Sequence, residues 1–111
     1  HLLVEVSGTF SLSTEGPVNY SRPAIDPLFE SAAAAYGRAL VGVILTGSSE
    51  DGALGAAAVR EAGGVVVVED PASAECPHMP AAAIACARPD AIGDVAEIAE
   101  MLRSAAARRA R

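Results

Sequence analysis

The chain has 111 residues, 51% of them apolar and 4% aromatic with no Trp, which allows one domain at most and a core built from Val, Ile, Leu and Ala. A net charge of −6, from 14 acids against eight Arg and no Lys, excludes a cationic nucleic-acid surface and removes lysine Schiff-base or lysine general-base chemistry. Cys76 and Cys86 are too few for a disulfide framework, and no apolar run reaches the ~20 residues of a membrane span, so a cytoplasmic protein without membrane insertion is expected.

The alanine and arginine bias is that of a high-GC bacterial genome. The chain opens on 1-HLLVEV-6, already a strand pattern, so a fragment of a longer domain is expected. Residues 2–6 and 9–14 flank Ser7-Gly8, a connection of the hairpin kind, and 15–23 read as loop. Asp26 stands where an N-cap belongs, Pro27 at the first helical position and Gly37 at a stop, which predicts a helix over 26–37. The run 39-ALVGVILTG-47 predicts a strand covered on both faces. A helix over 52–62 follows, stopped at Gly63-Gly64, and 65-VVVVED-70 predicts a second buried strand. After a loop at 71–80, a helix over 80–87, a turn at 90–93 and a last helix over 94–108 are expected, the last with Val95, Ile98, Leu102 and Ala105 on one face. Its basic end, 103-RSAAARRAR-111, suits the carboxyl end of a helix dipole. Strands separated by helix-length crossovers imply an α/β fold with a mostly parallel sheet and an antiparallel hairpin at one edge.

The polar residues able to do chemistry follow strand carboxyl ends, at 47–51 and 70–80, where open α/β sheets bind ligands. Ser48 and Asp51 fit a capping box, a hydroxyl followed three residues later by an acid. Asp51 also suits the orienting acid of a hydrolytic triad, which needs a fixed carboxylate beside an imidazole. A phosphate cradle is disfavoured, because Glu50 and Asp51 repel an anion where it would bind. His78, between two prolines, is a conceivable base or an inert loop residue, and the residues alone supply no nucleophile–base pair. The spacing of Cys76, His78 and Cys86 matches no common closed zinc site, so no metal and no cofactor are expected. Met79 reads as a pocket wall.

Several strings together resemble a known family. The segment 21-SRPAIDPLFES-31 is similar to R-P-S-V-D-x-L-F-x-S of the CheB-type chemotaxis protein-glutamate methylesterases. The run 41-VGVILTGSSEDGALG-55 is similar to their V-I-L-T-G-M-G-x-D-G-A-x-G, and 61-EAGGVVVVEDPASAECPHMPAAAI-84 to their A-G-G-x-x-x-x-Q-x-x-x-S-x-x-x-x-G-M-P-x-x-A. The opening His1-Leu2-Leu3-Val4 resembles an H-L-x-V of the family. The resemblance implies a three-layer α/β/α domain, of which residues 1–111 are the carboxyl-terminal portion. It implies a Ser-His-Asp triad that hydrolyses glutamyl methyl esters, in some members also glutamine amides, on chemoreceptor cytoplasmic helices, in some cases behind a receiver domain.

By position the triad acid is Asp51, and the family's Ser and His belong to segments upstream of His1. Neither Ser48 nor His78 matches a family catalytic position. Gly47, Ser48 and Ser49 fall on the loop that borders the pocket and the oxyanion, with Ser48-Ser49 in place of Met-Gly. Arg22 and Met79 fall on the pocket rim, Glu69 stands where Gln is usual, and His78 where Gly is usual. The 111 residues alone are expected to be inactive. Two competing expectations are a non-catalytic methylesterase-like binding module, in which Asp51 only caps a helix, and a flavodoxin-like small-ligand binder.

Overall fold

The computed structural model describes residues 2–4, 10–12 and 25–109. Two short strands, β1 (Leu2–Val4) and β2 (Phe10–Leu12), pair antiparallel with Leu3 opposite Ser11. The expected Ser7-Gly8 connection and the loop 15–23, with Arg22, lie outside the described residues. The rest is α1 (Ile25–Tyr36), β3 (Val41–Ile44), α2 (Ala53–Glu61), β4 (Val65–Glu69), α3 (His78–Ala87), β5 (Ala91–Gly93) and α4 (Val95–Arg109).

Strands β3, β4 and β5 form a parallel sheet in that order, with Val41 beside Val65 and Val67 beside Ala91. The side-chain period of two sorts the two faces. Ile44, Val66 and Val68 are buried beneath Ala33 of α1, Ala56 and Val59 of α2, and Ala83 and Ala87 of α3. Small residues let these helices sit close. A Cβ on Gly42 would lie 3.3 Å from the Phe29 ring of α1 and 3.6 Å from Val59 of α2. Helix α4 covers the opposite face, where Met101, Leu102 and Ala105 lie over Val41, Val65, Val67 and Ala91. The architecture is thus α/β with a parallel sheet, as the strand–helix alternation implies, and in three layers, as the family resemblance implies.

The expected turn at 90–93 is instead the third parallel strand. Three residues are too few for a periodic signal, and Asp90 supplies the anchor. Its amide donates to the Val66 carbonyl (2.8 Å), while its carboxylate accepts from the Val66 amide (2.8 Å) and the Arg60 guanidinium (2.7 Å). Strand β3 is shorter than the apolar run predicts, because a 3-10 turn takes Gly37–Ala39 and the chain leaves the sheet after Ile44.

Helix α2 ends in a Schellman motif: Gly63, at φ +88°, donates to Arg60 and Gly64 donates to Val59. Helix α3 begins at His78 rather than at residue 80, so His78 lies in a first helical turn and not in the preceding loop. On α4 only part of the expected apolar face is covered: Ile98 is buried, whereas Val95 and Leu102 stay exposed. A reciprocal capping box does occur, at Asp94 and Glu97, each side chain accepting from the other's amide at 2.8–3.0 Å.

Candidate functional site

The carboxyl ends of β3 and β4 release two loops, 45–52 and 70–77, which are fastened to one another by backbone bonds. The Gly47 amide donates to the Cys76 carbonyl (3.0 Å), and the Met79 amide donates to the Gly47 carbonyl (3.0 Å). Between them, the Thr46 hydroxyl accepts from the Cys76 amide (2.7 Å) and donates to the Cys76 carbonyl (3.3 Å). Glu69, the last residue of β4 and 5% exposed, accepts from the Thr46 amide (2.9 Å) and so fixes where the first loop leaves the sheet. Glycine at 47 lets the loop lie against Met79 as it stands, since a Cβ there would be 2.6 Å from Met79 Cε and 3.1 Å from Met79 Cβ. The structure therefore brings Gly47, Ser48, Ser49 and Met79 to one edge of the sheet. There Ser48 and Ala81 line an open pocket of about 450 Å3 with Glu75, Cys76, Pro77 and His78.

Asp51 ends the first loop and is 4% exposed. The expected capping box does not form: α2 is preceded by Gly52, at φ +106°, with no side-chain cap. Instead the Asp51 carboxylate reaches across to α1, accepting from the Ile25 amide at 2.6 Å and the Asp26 amide at 3.1 Å. The Asp51 amide donates to the Ser49 hydroxyl (3.2 Å), which shapes the turn before it. Asp26 is not the cap of its own helix either. It lies inside α1, 2% exposed, and its Oδ1 accepts from the amides of Gly52 (2.9 Å) and Gly55 (2.7 Å) at the start of α2. Each helix is thus capped by a carboxylate belonging to the other.

A carboxylate at a helix amino end, facing two backbone donors, sits where its negative charge is favoured. A carboxylate has roughly four acceptor positions, so accepting backbone amides and orienting an imidazole N–H are compatible roles for one group. His78 and Cys76 line the exposed pocket, Cys86 lies on α3 facing a different groove, and Arg22 is outside the described residues. Among the described residues no three His, Cys, Asp or Glu side chains gather as metal ligands would. Asp26, Thr46 and Glu69 belong to the site's framework without having been marked as site residues. Asp26 looks like a local cap, and nothing in a linear sequence says which helix a carboxylate will serve.

Comparison with known proteins decides the family. The family model described as CheB methylesterase matches residues 1–102. The chain belongs to the CheB methylesterase family. A Leptospira interrogans relative, provisionally named a protein-glutamate methylesterase/protein-glutamine glutaminase, is 48% identical over 101 residues, covering 91% of this chain and 52% of that protein. A Paramagnetospirillum magneticum protein named protein-glutamate methylesterase/protein-glutamine glutaminase 1 is 41% identical over 112 residues, covering 98% of this chain and 29% of the relative. The crystal structure of the Thermotoga maritima CheB methylesterase catalytic domain superposes with a TM-score of 0.86 at 33% identity, over 92% of this chain and 56% of that one. The chain spans about half the length, or less, of the curated relatives it matches.

Proposed function

We propose that this chain is the carboxyl-terminal portion of a protein-glutamate methylesterase catalytic domain, with a glutaminase activity at the same site, and that Asp51 is its triad carboxylate. The observation that carries this reading is the state of Asp51: a 4%-exposed carboxylate fixed at a strand-to-helix turn by two backbone amides, in a chain of this family. In the reaction a serine from the part of the domain that precedes His1 attacks the ester carbonyl while a histidine takes its proton. The tetrahedral intermediate collapses, methanol leaves with the proton returned by the imidazolium, and water then hydrolyses the glutamyl-enzyme by the same steps in reverse order. Asp51 holds the imidazole in the tautomer that accepts the serine proton and stabilises the imidazolium. The loop Gly47–Ser49 borders the oxyanion, and Met79 and Arg22 form the rim. The substrate is a methylated chemoreceptor helix, a bacterial cytoplasmic target, and a receiver domain in the same protein is a candidate controller.

The test is methanol release by the full-length protein. Asp51→Asn lowers kcat by roughly 10³–10⁴-fold with the fold retained, since the wrong imidazole tautomer is then held. Near-wild-type turnover in that variant defeats the triad reading and leaves Asp51 as a cap of α1 alone, whereas a full-length wild-type protein that releases no methanol favours the non-catalytic binding module.

A further inference from the structure

We infer that Asp26 is the positioning residue for Asp51, acting through the exchange of carboxylates between α1 and α2. This rests on Asp51 being the triad carboxylate. Four hydrogen bonds close a ring between the two helix starts. The amides of Ile25 and Asp26 donate to Asp51, and the amides of Gly52 and Gly55 donate to Asp26 Oδ1. Asp51 is joined covalently to Gly52, so the group that Asp26 grips is the peptide immediately following the triad acid. Each carboxylate is thus held by the backbone segment that carries, or directly follows, the other.

The surroundings leave little slack. A Cβ on Gly55 would lie 2.6 Å from Phe29 Cβ and 3.2 Å from Asp26 Cα, and one on Gly52 would lie 3.1 Å from Ile44 and 3.5 Å from Ile25. The helix starts therefore meet at backbone distance, which is the condition under which one acceptor can fix another residue's position to a fraction of an ångström. With 2% of its surface exposed, Asp26 has almost no surface to offer a substrate. Its effect on the reaction must pass through Asp51. Glu50 and the exposed face of α2 offer no comparable grip, since Gly52 and Gly55 are held by Asp26 from the α1 side.

Asp26→Ala removes the one oxygen, Oδ1, that accepts from both Gly52 and Gly55, and lets the 51–55 turn relax. A displacement near 1 Å at a catalytic group costs up to about 100-fold, so kcat should fall about 10- to 100-fold with KM for the methylated receptor changed less than about threefold. Asp26→Asn keeps an Oδ1 acceptor in place and should recover most of that kcat. In the double variant Asp26→Ala/Asp51→Asn the losses should not multiply, because one residue acts through the other; kcat should match Asp51→Asn alone within about threefold. All are measured on the full-length protein, per folded molecule.

A folded Asp26→Ala with wild-type kcat, or losses that multiply in the double variant, overturns the inference while leaving the triad reading intact. Wild-type turnover in Asp51→Asn overturns both. If Asp26→Ala does not fold, Asp26→Ser is read in its place. Its shorter hydroxyl keeps a weaker grip on the same amides, so an intermediate kcat supports the inference and a wild-type kcat overturns it.

Discussion

At Gly47 the backbone passes so close to Met79 that the smallest possible side chain has no room. An added Cβ would meet the flexible thioether at 2.6–2.9 Å and Met79 Cβ at 3.1 Å, while the amide–carbonyl bond between the two residues keeps them together. The thioether can swing away, so Gly47→Ala should destabilise by only about 1 kcal/mol, the low end for overpacking. In the proposed reaction activity should suffer more, by about tenfold in kcat/KM, because the loop that yields is the one proposed to border the oxyanion. Met79→Ala in the same background should restore part of the loss. A double variant as impaired as Gly47→Ala alone would mean that Met79 is not the obstacle. The residue scale also explains the departures from the family pattern. Ser49 has a local task, accepting the Asp51 amide, so a serine in place of glycine is accommodated within the turn. Glu69, in place of glutamine, still accepts the Thr46 amide through Oε1, which an amide oxygen would do equally well.

Between elements, the contact of α1 with α2 sets two physical effects against each other at Gly55. Glycine inside a helix is worth about 1 kcal/mol less than alanine, so propensity alone favours Gly55→Ala. The added Cβ, however, would stand 2.6 Å from Phe29 Cβ and 3.2 Å from the Asp26 backbone, neither of which is a flexible end. Steric cost should win, with a net loss of about 1–3 kcal/mol seen as a lower midpoint in chemical denaturation at unchanged m-value. A stabilised Gly55→Ala would show that the helices can part cheaply, and would weaken the case for a rigid carboxylate exchange. The same scale accounts for β5. Its three residues hold no pattern of their own and are drawn into the sheet by Asp90, which bonds both the amide and the carbonyl of Val66.

Taken whole, the molecule covers its central sheet unevenly. Among the described residues, the face carrying Val66 and Val68 lies under three helices, whereas the face carrying Val65 is roofed by α4 alone, leaving an apolar groove of about 320 Å3 and Val65 39% exposed. Deleting two methyl-sized groups from the face under three helices leaves a cavity that the helices cannot fill. Val66→Ala should therefore cost about 2 kcal/mol, and Val65→Ala less than about 1. Equal losses in thermal or denaturant unfolding of the full-length protein would show that the groove is filled in that setting. Among the described residues no helix is long and apolar enough to cross a membrane.

The sequence by itself determined the strand-forming runs within 39–47 and 65–70, the helix between them and the α/β class, because each rests on apolar patterning and stop residues within one segment. Together with the family strings it also singled out Asp51. Tertiary structure alone decided what Asp51 and Asp26 do. A carboxylate takes the donor that packing brings to it, and the amides that Asp51 accepts lie 25 and 26 residues away on another helix. The capping-box spacing at 48–51 misleads for that reason, whereas the same spacing at Asp94 and Glu97, where each side chain accepts from the other's amide, forms the local box. What the close approach of α1 and α2 added is rigidity at the one residue where the reaction would need it.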